Sequence, residues 1–205
     1  MNSISVIDSN PLIRRGLKNI LTEKGYQVAF EADNVDAMFL SGINHKPQLL
    51  IIEPLFQDHF VNEKLELLRH YNPRLKILIL SISESHYHIQ LSLQMGFEGY
   101  VCKSWPLKTL FDSIDEINQG KHAYCSSQFT HRMKYPNDAR LLASLSKREF
   151  QVLRLFGAGK SIKEISEALD LSNKTISTYK IKMMQKTSAN NFIDIVDLAR
   201  RNFIF

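Results

Sequence analysis

The chain of 205 residues is 44% hydrophobic and 23% charged, the balance of an ordinary globular protein, and it is long enough for two domains of unequal size. It has no run of the eighteen or more apolar residues needed to span a membrane, and its opening MNSISVID lacks the basic-then-apolar order of a signal peptide, so a cytoplasmic protein without a membrane partner is expected. Cys102 and Cys125 have no CxxC partner, which argues against a disulfide framework or a sulfur-bound zinc and for reduced, structural thiols.

The net charge of +5 is unevenly placed. Residues 1–139 carry 14 Lys and Arg against 15 Asp and Glu, whereas residues 140–205 carry 12 against 6. A basic last third joined to a near-neutral remainder points to a polyanionic partner for the former, and to binding that weakens with salt.

In chain order, short runs rich in Ile, Val and Leu alternate with segments of helical spacing. The strand candidates are residues 3–8, 26–30, 48–53, 75–80 and 98–102. Between them, Pro11–Lys24 sets Leu12, Leu17, Ile20 and Leu21 on one face, and helices are expected at Asp33–Leu40, Asn62–His70, His86–Gln94 and Leu107–Gln119. Near-continuous apolar runs such as Leu49–Ile52 and Ile77–Leu80 predict strands buried on both faces. The result is a doubly wound α/β domain of five βα units over residues 1–120, with its functional groups at the carboxyl ends of the strands. Residues 121–143 are polar, broken by Pro136 and Asn137, and read as a linker.

Residues 144–205 show four helical segments and no strand pattern, an all-α domain. Ser146 and Glu149 form a capping box before a helix that turns Phe150, Val152, Leu153 and Phe156 inward. Ser161 starts a short helix carrying Ile162, Ile165 and Leu169, and Leu171–Asn173 supplies a turn. The next helix, from about Asn173 to Lys186, faces inward with Ile176 and Met183 and outward with Thr175, Ser177, Thr178, Lys180, Ile181 and Lys182. Hydroxyls and ammonium groups reach base edges and phosphates, and Ile or Thr methyls can meet thymine, so this outward face suits a DNA major groove. Lys174, Lys180, Lys182 and Lys186 would have little use without nucleic acid.

The stretch LSKREFQVLRLFGAGKSIKEISEALDLSNKTISTYKIKMMQK resembles the LuxR-type helix-turn-helix of the NarL/FixJ response regulators, and SNKTISTYK is similar to the branch that includes BvgA and EvgA. The resemblance implies a four-helix DNA-binding domain whose third helix enters the major groove. It assigns base reading to Ser177, Thr178 and Ile181 and phosphate contacts to Lys174, Thr175, Lys180 and Lys182. The last helix, from Asn190 to Phe203, is read either as a dimerisation element or as plain core.

Residues 3–120 resemble a response-regulator receiver, with IDSNPLIRRGL, LLIIEP, LILSIS and GYVCK where that family keeps its active-site segments. The family's phosphoryl chemistry uses two acidic residues after the first strand, an Asp ending the third, a hydroxyl after the fourth and a Lys after the fifth. Asp8, Ser81 and Lys103 match. Ser9 replaces the second acid and Glu53 the phosphoacceptor, whose extra methylene moves the carboxylate by about 1.5 Å. The segment after Glu53, PLFQDHFVN, lacks the family's usual Pro and Gly spacing. A pseudo-receiver follows: either Glu53 pairs with Lys103 and imitates the charged form, or the domain serves only to dimerise or bind partners.

His86-Tyr87-His88 is a weak metal motif, expected as a solvated loop or helix start, and no GxSxG, Walker or GxGxxG sequence is present. No cofactor, metal site or enzymatic activity is expected. The reading is a dimeric, DNA-binding transcription regulator that does not depend on conventional aspartyl phosphorylation. The alternative is an interaction protein that modulates another response regulator by heterodimerising through the receiver-like half. Duplex DNA and a second copy are the expected partners, and RNA polymerase is a further one.

Overall fold

The structure, a computed structural model, describes residues 3–42, 46–53, 59–124 and 137–205. The chain forms two compact units, one built on a sheet and one on the C-terminal helices.

In the first unit β1 (Ser3–Ile7), β2 (Gln27–Ala32), β3 (Leu49–Ile52), β4 (Lys76–Ser81), β5 (Gly99–Cys102) and β6 (Ala123–Tyr124) form one parallel sheet, ordered β2-β1-β3-β4-β5-β6. The helices between them are α1 (Pro11–Glu23), α2 (Val35–Ala37, widening into a turn over Met38–Gly42), α3 (His59–Tyr71), α4 (His86–Gln94), whose first residues through Gln90 group with the second unit, and α5 (Leu107–Asn118). Every residue of β3 and β5 is buried, as their unbroken apolar runs required. On one sheet face Ile4, Val6, Leu49, Ile51, Leu78, Leu80 and Val101 pack with Leu17 and Leu21 of α1 and Leu110, Ile114 and Ile117 of α5. The strand order reverses between β1 and β3, which gathers the ends of β1, β3, β4 and β5 at one rim.

Two expectations change. Leu12 is 81% exposed, and Ile13 joins the core instead. The reason is helical phase: at 3.6 residues per turn, Leu12 lies about 140° around the helix from Leu17. Asn10 fixes this start, its side chain accepting the amides of Leu12 and Ile13 at 2.9 and 3.4 Å. The HxH motif does open a helix, α4, but His88 is buried rather than solvated, and burial holds its pKa down at about 4.

The segment read as a linker contains regular structure in its described parts. Ala123 and Tyr124 form β6, and α6 (Asp138–Ala143) precedes the expected helices. Leu142 enters the helical core, and Arg201 grips Asp138 through two bonds of 2.7 and 2.8 Å. Residues 125–136, with Cys125, and residues 54–58 of the loop after Glu53 lie outside the described residues. Cys102 is a buried free thiol.

The second unit continues with α7 (Lys147–Gly157), α8 (Ile162–Leu169), α9 (Asn173–Thr187) and α10 (Phe192–Arg201). Val152, Leu153, Phe156, Ile165, Ile176, Met183, Ile195, Leu198 and Ala199 form its core. Gly157 allows the C-terminal segment to close on α7, because a Cβ there would lie 2.1 Å from the Ile204 carbonyl oxygen. The capping box at Ser146 and Glu149 is present, and two more, Ser161 with Glu164 and Asn191 with Asp194, start α8 and α10. Among the described residues no helix is long and apolar enough to cross a membrane.

Glu149 does more than cap. It is 3% exposed, and Lys186 of α9 reaches its carboxylate at 2.6 Å. Burial alone would raise its pKa, but the bonds from Lys186 and Ser146 outweigh that and hold it below the usual 4.5. A depressed carboxylate pKa gives stability that is present above the unfolded value and lost as pH falls through the folded one. Glu149→Ala is therefore expected to cost about 1–3 kcal/mol at neutral pH, more than Glu164→Ala at the exposed capping box. The deficit should shrink in the acid range below the usual carboxylate pKa, as read by denaturant melts at several pH values.

Candidate receiver cluster and nucleic-acid interface

At the sheet rim the side chains of Asp8, Glu53 and Lys103 meet. Asp8 follows β1 and is 2% exposed, Glu53 follows β3, and Lys103 follows β5. The Lys103 ammonium donates to Asp8 Oδ2 at 2.5 Å and also to Glu53 Oε2. The other oxygens are engaged too: Asp8 Oδ1 accepts the Asn10 amide at 2.8 Å, and Glu53 Oε1 accepts the Ile82 amide at 3.1 Å. Ser81 is buried at the end of β4, and its carbonyl accepts the Lys103 backbone amide at 2.7 Å. Ser9 is exposed and adds no charge.

A fourth charged residue, overlooked in the sequence, completes the cluster. Arg14 of α1 donates to the Asp8 carbonyl at 2.7 Å and to the Ser9 carbonyl at 3.2 Å. Arg14 thus braces the backbone at the end of β1, next to the ion pairs of Lys103. The RRG of the first helix was a visible signal, since Arg14 lies one turn from the helix start and faces back to the rim.

In the helical unit, α9 is divided by burial. Ile176 and Met183 are fully buried and Thr187 is nearly so. Lys174, Thr178, Ile181, Lys182 and Gln185 are exposed, and Lys174, Thr178, Ile181 and Gln185 follow the three-and-four spacing of a single stripe. Gln185 was missed in the sequence, although the same periodicity runs through it.

Three of the expected contact residues are already engaged within the unit. Thr175 Oγ1 and the N-cap hydroxyl of Ser172 lie 2.8 Å apart. Thr178 gives its hydroxyl proton to the Lys174 carbonyl at 2.9 Å, leaving its lone pairs and methyl for any partner. Lys180 sits over the Phe192 ring at 4.1 Å from its centre and joins α9 to α10. Lys186 is likewise structural, through Glu149 and the Ser144 carbonyl at 3.3 Å, which corrects its assignment to nucleic acid alone. Lys174 and Lys182 remain as exposed cations, and Ser177 is half-buried beside them.

Two families match this chain. The response regulator receiver domain matches residues 4–115, and the bacterial regulatory proteins of the luxR family match residues 143–199. The chain belongs to the response-regulator family. It pairs a receiver unit with a LuxR-type helical unit, and it is a regulator rather than an enzyme. The transcription regulator of virulence factors BvgA, from Bordetella pertussis, is 29% identical over 206 residues, covering 98% of each chain. The DNA-binding transcriptional activator EvgA of Escherichia coli K12 is 29% identical over 207 residues and 100% of each. A solved structure of two RcsB dimers bound to two parallel DNAs shares the fold, with a TM-score of 0.60 and 22% identity over 98% of this chain and 99% of that one.

Two outcomes follow from the geometry of this response regulator. Lys103→Met strands two adjacent, nearly buried carboxylates and is expected to destabilise the receiver unit by about 3–5 kcal/mol, with part of the loss recovered by adding Glu53→Gln. Denaturation of the single and double variants reads the difference. In the helical unit, Lys180→Gln is expected to lower stability by roughly 0.5–1 kcal/mol through loss of the Phe192 contact, while Lys182→Gln leaves melting unchanged.

Proposed function

We propose that this response regulator is a dimeric, DNA-binding transcription regulator whose α9 enters the major groove and whose receiver unit acts without conventional aspartyl phosphorylation. The observation that carries the DNA reading is the exposed stripe of Lys174, Thr178, Ile181 and Gln185, flanked by Lys182, on a helix anchored by Ile176 and Met183. It is the geometry of a helix buried on one side and offered to a groove on the other. Ser177, Thr178 and Ile181 read bases, and Lys174 and Lys182 hold phosphates. Thr175 and Lys180 position the helix from within. The net positive last third supplies the long-range attraction, and a duplex-DNA partner places the work in the cytoplasm. The names of BvgA and EvgA favour activation, which makes RNA polymerase the further partner.

The receiver reading rests on charge. A divalent cation at this rim needs oxygen ligands, and the family's acidic pair is reduced here to Asp8 with Ser9. The Lys103 ammonium lies 2.5 Å from Asp8 and also holds Glu53, so the residues present fit an internal ion pair better than Mg²⁺. Glu53, bonded to Lys103 and to the Ile82 amide, puts a carboxylate held inside the fold at the phosphoacceptor position.

The deciding experiment is selection from random duplexes with the untreated full-length protein at two salt concentrations, repeated with a small phosphodonor and Mg²⁺. A two-fold symmetric site recovered equally in both arms is the expected result. Salt-sensitive, sequence-blind binding would favour instead a modulator that heterodimerises with another response regulator, and a stable phosphate on Glu53 would overturn the phosphorylation-independent reading.

A further inference from the structure

The exposed face of α9 contains one side chain that electrostatics does not account for. Ile181 is 56% exposed, with the polar side chains of Thr178, Lys182 and Gln185 as its exposed neighbours on the same helix. An isoleucine left in water offers nothing to a phosphate, and it can neither donate to nor accept from a base edge. It is held in place: Met183 is fully buried two residues on, and the β-branched side chain has few rotamers in a helix, so its methyl groups occupy a narrow region outside the helix.

We infer that Ile181 is a specificity-determining residue that reads the 5-methyl group of one thymine in each half-site. The inference rests on the proposed entry of α9 into the major groove and goes beyond it by naming the base. In that groove the edges of guanine, adenine and cytosine present donors and acceptors, and thymine alone adds an apolar group. Setting Ile181 against any other base strips water from polar atoms and returns no bond, so the side chain selects by attraction to thymine and by penalty against the rest. Thr178, one turn before it, has committed its hydroxyl proton to the Lys174 carbonyl and so does not supply a competing donor there. Ile181 also walls a shallow groove with Met184, Gln185, Ser188 and Ala189, and a protein contact on that groove is the competing explanation for its exposure.

The test alters the DNA by a single methyl group and leaves the protein intact. Once selection has yielded a site, each thymine is replaced in turn by deoxyuridine and binding of the full-length protein is titrated. One thymine per half-site is expected to weaken binding by about fourfold when its methyl is removed, the free-energy equivalent of one buried methyl group. Ile181→Ala should bind the thymine and deoxyuridine duplexes equally while keeping its dependence on the other positions. If no deoxyuridine replacement weakens wild-type binding, or if Ile181→Ala retains the methyl dependence, the assignment fails although DNA binding stands. If Ile181→Ala changes the sedimentation of the free protein and not its methyl dependence, the groove explanation replaces it. A failure to select any sequence removes both this assignment and the reading beneath it.

Discussion

The helical unit depends on one constraint, that a single helix must be core on one side and open to solvent on the other. Helix α9 meets it by sending Ile176, Met183 and Thr187 inward, so that its rotation is fixed by packing and not by whatever it binds. The same constraint explains why its polar residues are so often turned back on the protein. Thr175 completes a cap with Ser172, Lys180 covers Phe192, and Lys186 neutralises buried Glu149. These contacts tie the helix to α10 and to the start of α7. What remains free is a narrow stripe whose side chains are carried by a rigid support, the condition for reading a base edge within a fraction of an ångström.

The receiver unit meets a different constraint. A doubly wound sheet brings the carboxyl ends of β1, β3, β4 and β5 to one rim, and acidic side chains placed there repel one another unless a cation intervenes. Here the cation is part of the chain. Lys103 bridges Asp8 and Glu53, and Arg14 holds the Asp8 backbone carbonyl beside them. Glu53 joins the bridge from the end of β3, and its other oxygen accepts the Ile82 amide at the end of β4.

Much of this was legible in the sequence because it follows from local rules. The apolar runs Leu49–Ile52 and Ile77–Leu80 gave buried strands, Ser146 with Glu149 gave a helix start, and the spacing of Ile176 and Met183 gave the inward face of α9. Leu12 was misplaced although helical phase alone excludes it from the face of Leu17, and Gln185 was overlooked although it continues a stripe already recognised. The roles of Lys180 and Lys186 were not legible in the same way. Their partners, Phe192 and Glu149, sit on other helices, and nothing near either lysine in sequence separates a cation that packs from one that faces a phosphate. Arg14 stands between these cases: its position near the helix start was visible, and its bond to the Asp8 carbonyl required the fold.

Sorting the lysines by what they touch changes how affinity and specificity divide. If Lys174, Lys180, Lys182 and Lys186 all met phosphates, the recognition helix would be dominated by a term that any sequence satisfies. With Lys180 and Lys186 engaged inside the unit, the proposed entry of α9 into a groove would leave fewer cations to bind indiscriminately and a larger share of the contact to Ser177, Thr178, Ile181 and Gln185. Neutral side chains contribute little at a distance and depend on close fit, so the discrimination they offer comes from what the wrong base leaves unpaired as much as from what the right one gains. On the proposed reading, the internal contacts of α9 would bear on specificity: each lysine held by packing lowers the background of sequence-blind attraction against which an uncharged stripe would be read.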